Sequence, residues 1–154
     1  MRVRPLVGRE MTEGNKRLAI NQTDHNSSTK LLIGSKSFTF DRVFWDSDSQ
    51  EHLFDTCTRN LVLGCFHGFN ATILAYGQTG SGKTHSMGTG STLGVPFEEV
   101  GIVPRVFKFI FEELEARKAA AEYSEFKVSV AFLELYNEEL HDLLDPGINK
   151  QTGK

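Results

Sequence analysis

No stretch of eighteen apolar residues occurs in this 154-residue chain, and its opening, Met1-Arg2-Val3-Arg4-Pro5-Leu6, lacks the apolar core of a signal peptide. Neither a membrane span nor secretion is expected, and the cytoplasm is the expected compartment. There is no basic stripe either. The formal net charge is −3, with twelve acids against five bases over residues 98–145, so no nucleic-acid partner is expected. Cysteine is scarce: Cys57 and Cys65 stand eight positions apart in one expected helix, roughly 12 Å along its axis, too far for a disulfide. They read as buried reduced thiols, with no His or Cys at ligand spacing to complete a metal site. Internal repeats and low-complexity segments are missing too. The apolar content, 39%, is enough for the core of one domain.

Arg2 to Leu6 reads as the end of a strand, because Pro5 stops ladder donation and Gly8 follows. Residues 10–30 are polar and weakly patterned, with a turn cluster at 24–29, and predict a surface excursion. Lys36 to Asp41 alternates polar and aromatic residues before Val43-Phe44-Trp45, which predicts a half-buried strand entering the core. Asp48 and Glu51 have the spacing of a helix N-terminus. Leu53, Cys57, Leu61 and Cys65, widened by Phe54 and Val62, carry one helix to Gly68. Phe69 to Tyr76 is apolar on both faces, as an interior strand of a helix-covered sheet is, and ends at Gly77.

Beyond a Gly/Ser/Thr-rich loop (88–96), Pro104 suits a helix's first turn, with Phe107, Ile110, Phe111 and Leu114 at helical spacing. Residues 126–136 alternate and then turn apolar on both faces, predicting a strand from the edge of the core to its middle. Asn137 to Leu144 is short and ambiguous. Residues 1–147 are expected to form one unit, with 148–154 as a flexible tail.

Gly77-Gln78-Thr79-Gly80-Ser81-Gly82-Lys83-Thr84 matches G-x-x-x-x-G-K-S/T between an expected strand and a helix-forming stretch, the context that motif requires. Glycines let the backbone curl so that N–H groups such as those of Gly80 to Lys83 face phosphate oxygens at the positive end of a helix dipole. Lys83 adds a full charge near the β- and γ-phosphates, and the Thr84 hydroxyl can reach a Mg²⁺ bridging them. A nucleoside triphosphate with Mg²⁺ is the implied ligand. Transferring the phosphoryl group needs further parts, and D-x-x-G does not occur. Glu134 either imitates the strand acid of other P-loop families or simply faces solvent or a partner.

Laid out in order, Val3-Arg4-Pro5-Leu6, Phe40-Asp41-Arg42-Val43-Phe44, Gly68 to Tyr76 joined to the P-loop, Gly101-Ile102-Val103-Pro104-Arg105 and Phe132 to Glu138 resemble the N-terminal part of a kinesin motor domain. The resemblance implies a three-layer α/β P-loop NTPase fold, truncated, with a central mixed sheet and helices on both faces. It also implies that the nucleotide is ATP, that Arg2, Arg4 and Pro5 border the adenine and that His85 packs on the base. His85 could instead be an exposed helix histidine, and Arg4 could merely pair with a surface acid.

The family's switch I, N-x-x-S-S-R-S-H, and switch II, D-x-A-G-S-E, do not occur here, and by family order they and the track-binding surface would follow residue 154. The expectation is therefore the ATP-binding portion of a microtubule-based motor ATPase of the cytoskeleton, with microtubules as partner of the intact motor but not of this portion alone. The alternatives are a non-hydrolysing nucleotide-binding or regulatory fragment, or another P-loop ATPase.

Overall fold

A computed structural model describes residues 1–6, 8, 10, 20–21, 28–88, 94–122 and 124–145. The chain divides into two compact units, residues 1–113 and 114–154. The expected tail at 148–154, most of the excursion at 10–30 and part of the loop at 88–96 lie outside the described residues.

The first unit opens with a three-stranded antiparallel sheet, β1 (Ile20–Asn21), β2 (Lys30–Ile33) and β3 (Lys36–Thr39), in the order β1-β2-β3. β2 went unread in the sequence. Ile33 pairs with Lys36 across a two-residue turn, a hairpin geometry that Gly34 supplies at φ 61°. Leu31, 1% exposed, is this sheet's anchor, whereas every residue of β3 is exposed. The half-buried strand expected at 36–41 is thus corrected: β3 is an outer strand, and the chain enters the core only at Val43 and Phe44. At the N-terminus the expected strand shrinks to one parallel bridge, Arg2 to Phe44, closed by Val3 N–H to the Phe44 carbonyl and Phe44 N–H to that of Met1.

The single helix expected up to Gly68 is two, α1 (Gln50–Cys57) and α2 (Arg59–Phe66). Ser49, not Asp48, is the N-cap, its hydroxyl accepting from His52 N–H. The Asp48 carboxylate instead accepts from Trp45 N–H. The break falls at Thr58, stretched to φ −116°. This residue is buried, and its hydroxyl has no partner among the described residues. Cys57 and Cys65 are free but exposed, which corrects their reading as buried thiols. Two rows at four-residue spacing were equally apolar in sequence. The buried one is Phe54-Thr58-Val62, with Phe66 half-buried at its end, because Phe109 sets its ring edge-on against Phe54 at 5.9 Å. The Cys57-Leu61-Cys65 row therefore turns to solvent.

A short helix, α3 (Lys83–Met87), follows the glycine-rich loop. A 3-10 turn at Phe97–Glu99 precedes the long helix α4 (Ile102–Ala119). Pro104 falls in the first turn of α4 as expected. Its buried residues are Ile102, Arg105, Phe109 and Leu114, while Phe107 and Phe111 are exposed. Two clusters form the core: Phe44, Leu53 and Ile102 with Ile73, Met87 and Val106 against them, and Phe54, Val62 and Phe109 with Leu63, Phe66, Val106 and Ile110.

Residues 69–76 run without any strand ladder, correcting the interior strand expected there. Only Ile73 and Ala75 are half-buried, Ile73 packed on the Phe44 cluster, while Phe69 is 70% exposed. Even positions face out, Leu74 84% and Tyr76 95% exposed. A strand is defined by its hydrogen-bonded neighbour, and no described residue forms a ladder with this segment. For the same reason the expected central mixed sheet is not hydrogen-bonded among the described residues, whose ladders are all antiparallel apart from the Arg2 bridge.

In the second unit, β4 (Leu133–Tyr136) and β5 (Glu139–Asp142) form a hairpin, so the strand expected over 126–136 holds only at its end and the ambiguous 137–144 contains its partner. Leu133 and Leu135, expected toward the middle of the core, are 53% and 72% exposed, since a two-stranded ribbon covers neither of its own faces. No helix of the described residues is long and apolar enough to cross a membrane.

Candidate functional site

The segment 69–76, resting on the core through Ile73, delivers Gly77 to the loop, and α3 carries the chain away at Lys83. Gly80 and Gly82 sit at φ 79° and 95°, left-handed values that a side chain disfavours. Ser81 N–H closes the turn on the Gln78 carbonyl. Lys83 reaches back over the loop, its Nζ donating to the carbonyls of Gly77 at 2.7 Å and Gln78 at 3.0 Å. The backbone N–H groups of Gly80, Gly82, Lys83 and Thr84 have no hydrogen-bond partner among the described residues. Thr79, Gly80, Gly82, Lys83 and Thr84 line an open cavity of about 290 Å³.

This cradle is one of unpaired donors around an ammonium, and its chemistry suits a polyanion. α3 has only five residues, too short for much of the helix-dipole contribution the motif suggested. The loop N–H groups and Lys83 carry the capacity instead.

α3 is held from behind by close backbone contact. A Cβ placed on Gly101 would lie 2.4 Å from Gly88 N and 2.6 Å from the Ser86 carbonyl oxygen, so only glycine lets the start of α4 press against the end of α3. Of the residues expected around the base, Arg2 and His85 meet at Gln50. Arg2 donates to Gln50 Oε1 at 2.7 Å and to Ser86 Oγ at 3.0 Å. Burial pulls its guanidinium below the ordinary arginine value, and the charge of Asp48 partly opposes this. His85 is exposed, with Nδ1 3.2 Å from Gln50 Nε2.

Arg4 takes the alternative its sequence left open. It grips the Glu10 carboxylate with both terminal nitrogens, at 2.6 and 2.9 Å, which raises its own pKa. Only its stem nears the loop, 3.9 Å from where a Cβ on Gly82 would be. Pro5 is exposed. Glu134 is exposed on β4 opposite His141. No group of three His, Cys, Asp or Glu suited to a metal occurs among the described residues.

Sequence reasoning missed Gln50. This side chain is 5% exposed and ties α1 to Arg2, to His85 and to the Glu99 carbonyl. Its signal was present: a glutamine heads the row that continues as Phe54, Thr58 and Val62, so burying that row buries an amide.

Loop, lysine and following threonine define a P-loop domain of the nucleoside-triphosphate-binding class. The family profile described as Kinesin motor domain matches residues 2–154, and the chain belongs to that family, one of microtubule-based motor ATPases. Kinesin-related protein 8 of Dictyostelium discoideum is 44% identical over 146 residues, 95% of this chain and 8% of that protein. The crystal structure of the Drosophila kinesin family member Kin10/NOD in complex with divalent manganese and ADP aligns with a TM-score of 0.74 and 31% identity, over 94% of this chain and 47% of that one. Drosophila NOD, docked with bovine tubulin into a map of nucleotide-free NOD complexed to the microtubule, aligns at 0.72 and 32%, over 83% and 44%. The expected P-loop fold class of a motor domain is thereby shown. The chain spans under half of these solved motor chains and less than a tenth of the Dictyostelium protein.

Proposed function

We propose that residues 77–84 hold Mg–ATP and that the chain is the ATP-binding portion of a microtubule-based motor ATPase, with microtubules as the track of the intact motor and the cytoplasmic cytoskeleton as its location. The observation that carries this reading is the conjunction of four unpartnered backbone N–H groups with one ammonium on a glycine-turned loop. The N–H groups of Gly80, Gly82, Lys83 and Thr84 donate to phosphate oxygens. Lys83 exchanges two neutral carbonyls for charged oxygens, which are stronger acceptors. The Thr84 hydroxyl would be the chain's own oxygen for holding Mg²⁺, a cation that favours oxygen ligands. When bound, that ion neutralises charge on the β- and γ-phosphates. The exposed face of His85 offers a ring for the adenine, with Arg2 and Pro5 at its border and Arg4 joining through its stem or on release from Glu10.

A second reading, binding without hydrolysis, is favoured for these 154 residues taken alone. Neither N-x-x-S-S-R-S-H nor D-x-A-G-S-E occurs in them, and positioning the attacking water and stabilising the transferred group supply most of the rate.

Calorimetric titration of Mg–ATP into the chain and into Lys83→Ala tests the first reading. Removing the one full charge of the cradle is expected to weaken binding by about a hundredfold, near 3 kcal/mol, and equal affinity overturns the assignment. Steady-state phosphate release with and without microtubules then separates the two. Turnover stimulated by microtubules would mean that these residues, Glu134 first among them, do the work assigned to the two absent motifs.

A further inference from the structure

Gln50 lies between three elements, and the direction of each of its hydrogen bonds is fixed by its partners. Arg2 can only donate, so the atom facing it at 2.7 Å is Gln50 Oε1. The amide nitrogen must then face the other way, where it meets the His85 carbonyl at 2.9 Å, the Glu99 carbonyl at 3.2 Å and His85 Nδ1 at 3.2 Å. The flipped amide would set its NH₂ against a guanidinium and its oxygen against two carbonyl oxygens, repulsive at both ends. The two N–H groups are shared among three acceptors, and Nδ1 belongs to that set only if it carries a lone pair. The ring proton of neutral His85 is thereby assigned to Nε2, and a proton on Nδ1 would face an N–H donor.

We propose that Gln50 is a positioning residue for the base-binding ring: pinned by Arg2, it holds His85 as the Nε2–H tautomer with its orientation fixed before any nucleotide arrives. The consequence for binding rests on the reading that His85 contacts adenine; the tautomer does not. A ring already oriented loses less freedom when a purine stacks on it, and its bare Nδ1 is occupied by the protein and unavailable to the ligand.

The test uses the full chain with ¹⁵N-labelled histidine at about pH 8, where an ordinary imidazole is neutral. Long-range ¹H–¹⁵N correlations report which nitrogen carries the proton, and His85→Gln identifies the signal. Parent His85 is expected as the Nε2–H form. Gln50→Met, and separately Arg2→Met, which leaves the buried amide in place but frees it to turn, are expected to raise the Nδ1–H share about fivefold, the worth of one ordinary hydrogen bond. A parent ring protonated at Nδ1, or a ratio unmoved by both variants, overturns the proposal.

The second measurement compares dissociation constants for Mg–ATP and Mg–tripolyphosphate. Gln50→Met should weaken ATP about fivefold and leave tripolyphosphate within about twofold, because only the base meets the ring. Equal weakening of both ligands would make Gln50 a support of the fold alone and overturn the positioning role. A parent chain that binds neither ligand removes the nucleotide reading, and the tautomer measurement alone then decides whether Gln50 sets the ring.

Discussion

Residues 69–76 and residues 77–88 are consecutive, yet one is bare and the other complete. The loop closes its own turns on near neighbours: Ser81 on Gln78, Lys83 on Gly77 and Gln78, Ser86 on Gly82 and Gly88 on Thr84, while Arg2, Gln50 and Gly101 brace α3 from a distance. The segment before them is as apolar as any in the chain but makes no ladder, and Tyr76 is almost fully exposed at 95%. A glycine-turned loop is assembled from local turns and its own side chains, whereas a strand of an interior sheet is specified jointly with partners distant in sequence. The loop can therefore take its shape although no ladder joins the segment before it to another described segment.

The comparison breaks most severely where the close backbone contact behind α3 is removed. Gly101→Ala puts a methyl group within 2.7 Å of the backbone at Ser86, Met87 and Gly88, and backbone cannot step aside as a side chain tip can. At least about 3 kcal/mol of stability should be lost, read as a lower denaturant midpoint, with Mg–ATP affinity falling in the same variant because α3 carries Lys83 and Thr84. A Gly101→Ala chain as stable as the parent would mean that α3 is not braced by α4.

The bare segment offers a smaller and more discriminating test. Ile73 packs against Phe44, Leu53 and Ile102, while Leu74, its neighbour, is 84% exposed. Ile73→Ala should cost about 2 kcal/mol; Leu74→Lys should change stability by less than about 0.5 kcal/mol and reduce self-association, since an exposed apolar edge is an aggregation template. A large loss of stability in Leu74→Lys would show that this residue is covered in solution, by a second copy or another segment.

The same contrast explains what could be read in the sequence. The turn over Gly77 to Thr84 and the helix start after it were legible because their signals are local, and the helix ends near Ser49 and His67 nearly so. Illegible was whatever depended on a distant partner. Which of two apolar rows on α1 and α2 is buried was settled by Phe109, 55 residues from Phe54. The fate of 126–136 turned on whether a neighbour lies beside it, and the ion pair of Arg4 depends on Glu10, six residues away. Gln50 escaped notice for a related reason: a glutamine at a helix start reads as solvated until its four partners on Arg2, His85 and Glu99 are brought to it. β2 was lost because Lys30 to Ile33 is four residues long and borders a polar stretch.

The smallest expected effect is local to the β4–β5 hairpin, where local chemistry is imperfect. Its two turn residues, Asn137 and Glu138, stand at φ 51° and 67°, the paired left-handed values of the turn that matches strand twist. Asparagine tolerates that region because its short amide bonds locally; glutamate has no such compensation and carries roughly 1 kcal/mol of strain. Glu138→Gly removes the Cβ responsible, and the greater freedom of glycine in the unfolded chain returns part of the gain. The net should be about 0.5 kcal/mol, seen as a roughly two- to threefold slowing of amide hydrogen exchange across Leu133–Tyr136 and Glu139–Asp142. Asn137→Gly should give less, because less strain is there to relieve. If the two variants slow exchange equally, the left-handed strain is not concentrated at Glu138. If neither does, the hairpin owes its stability to its cross-strand pairs, Leu135 with Leu140 above all, rather than to its turn.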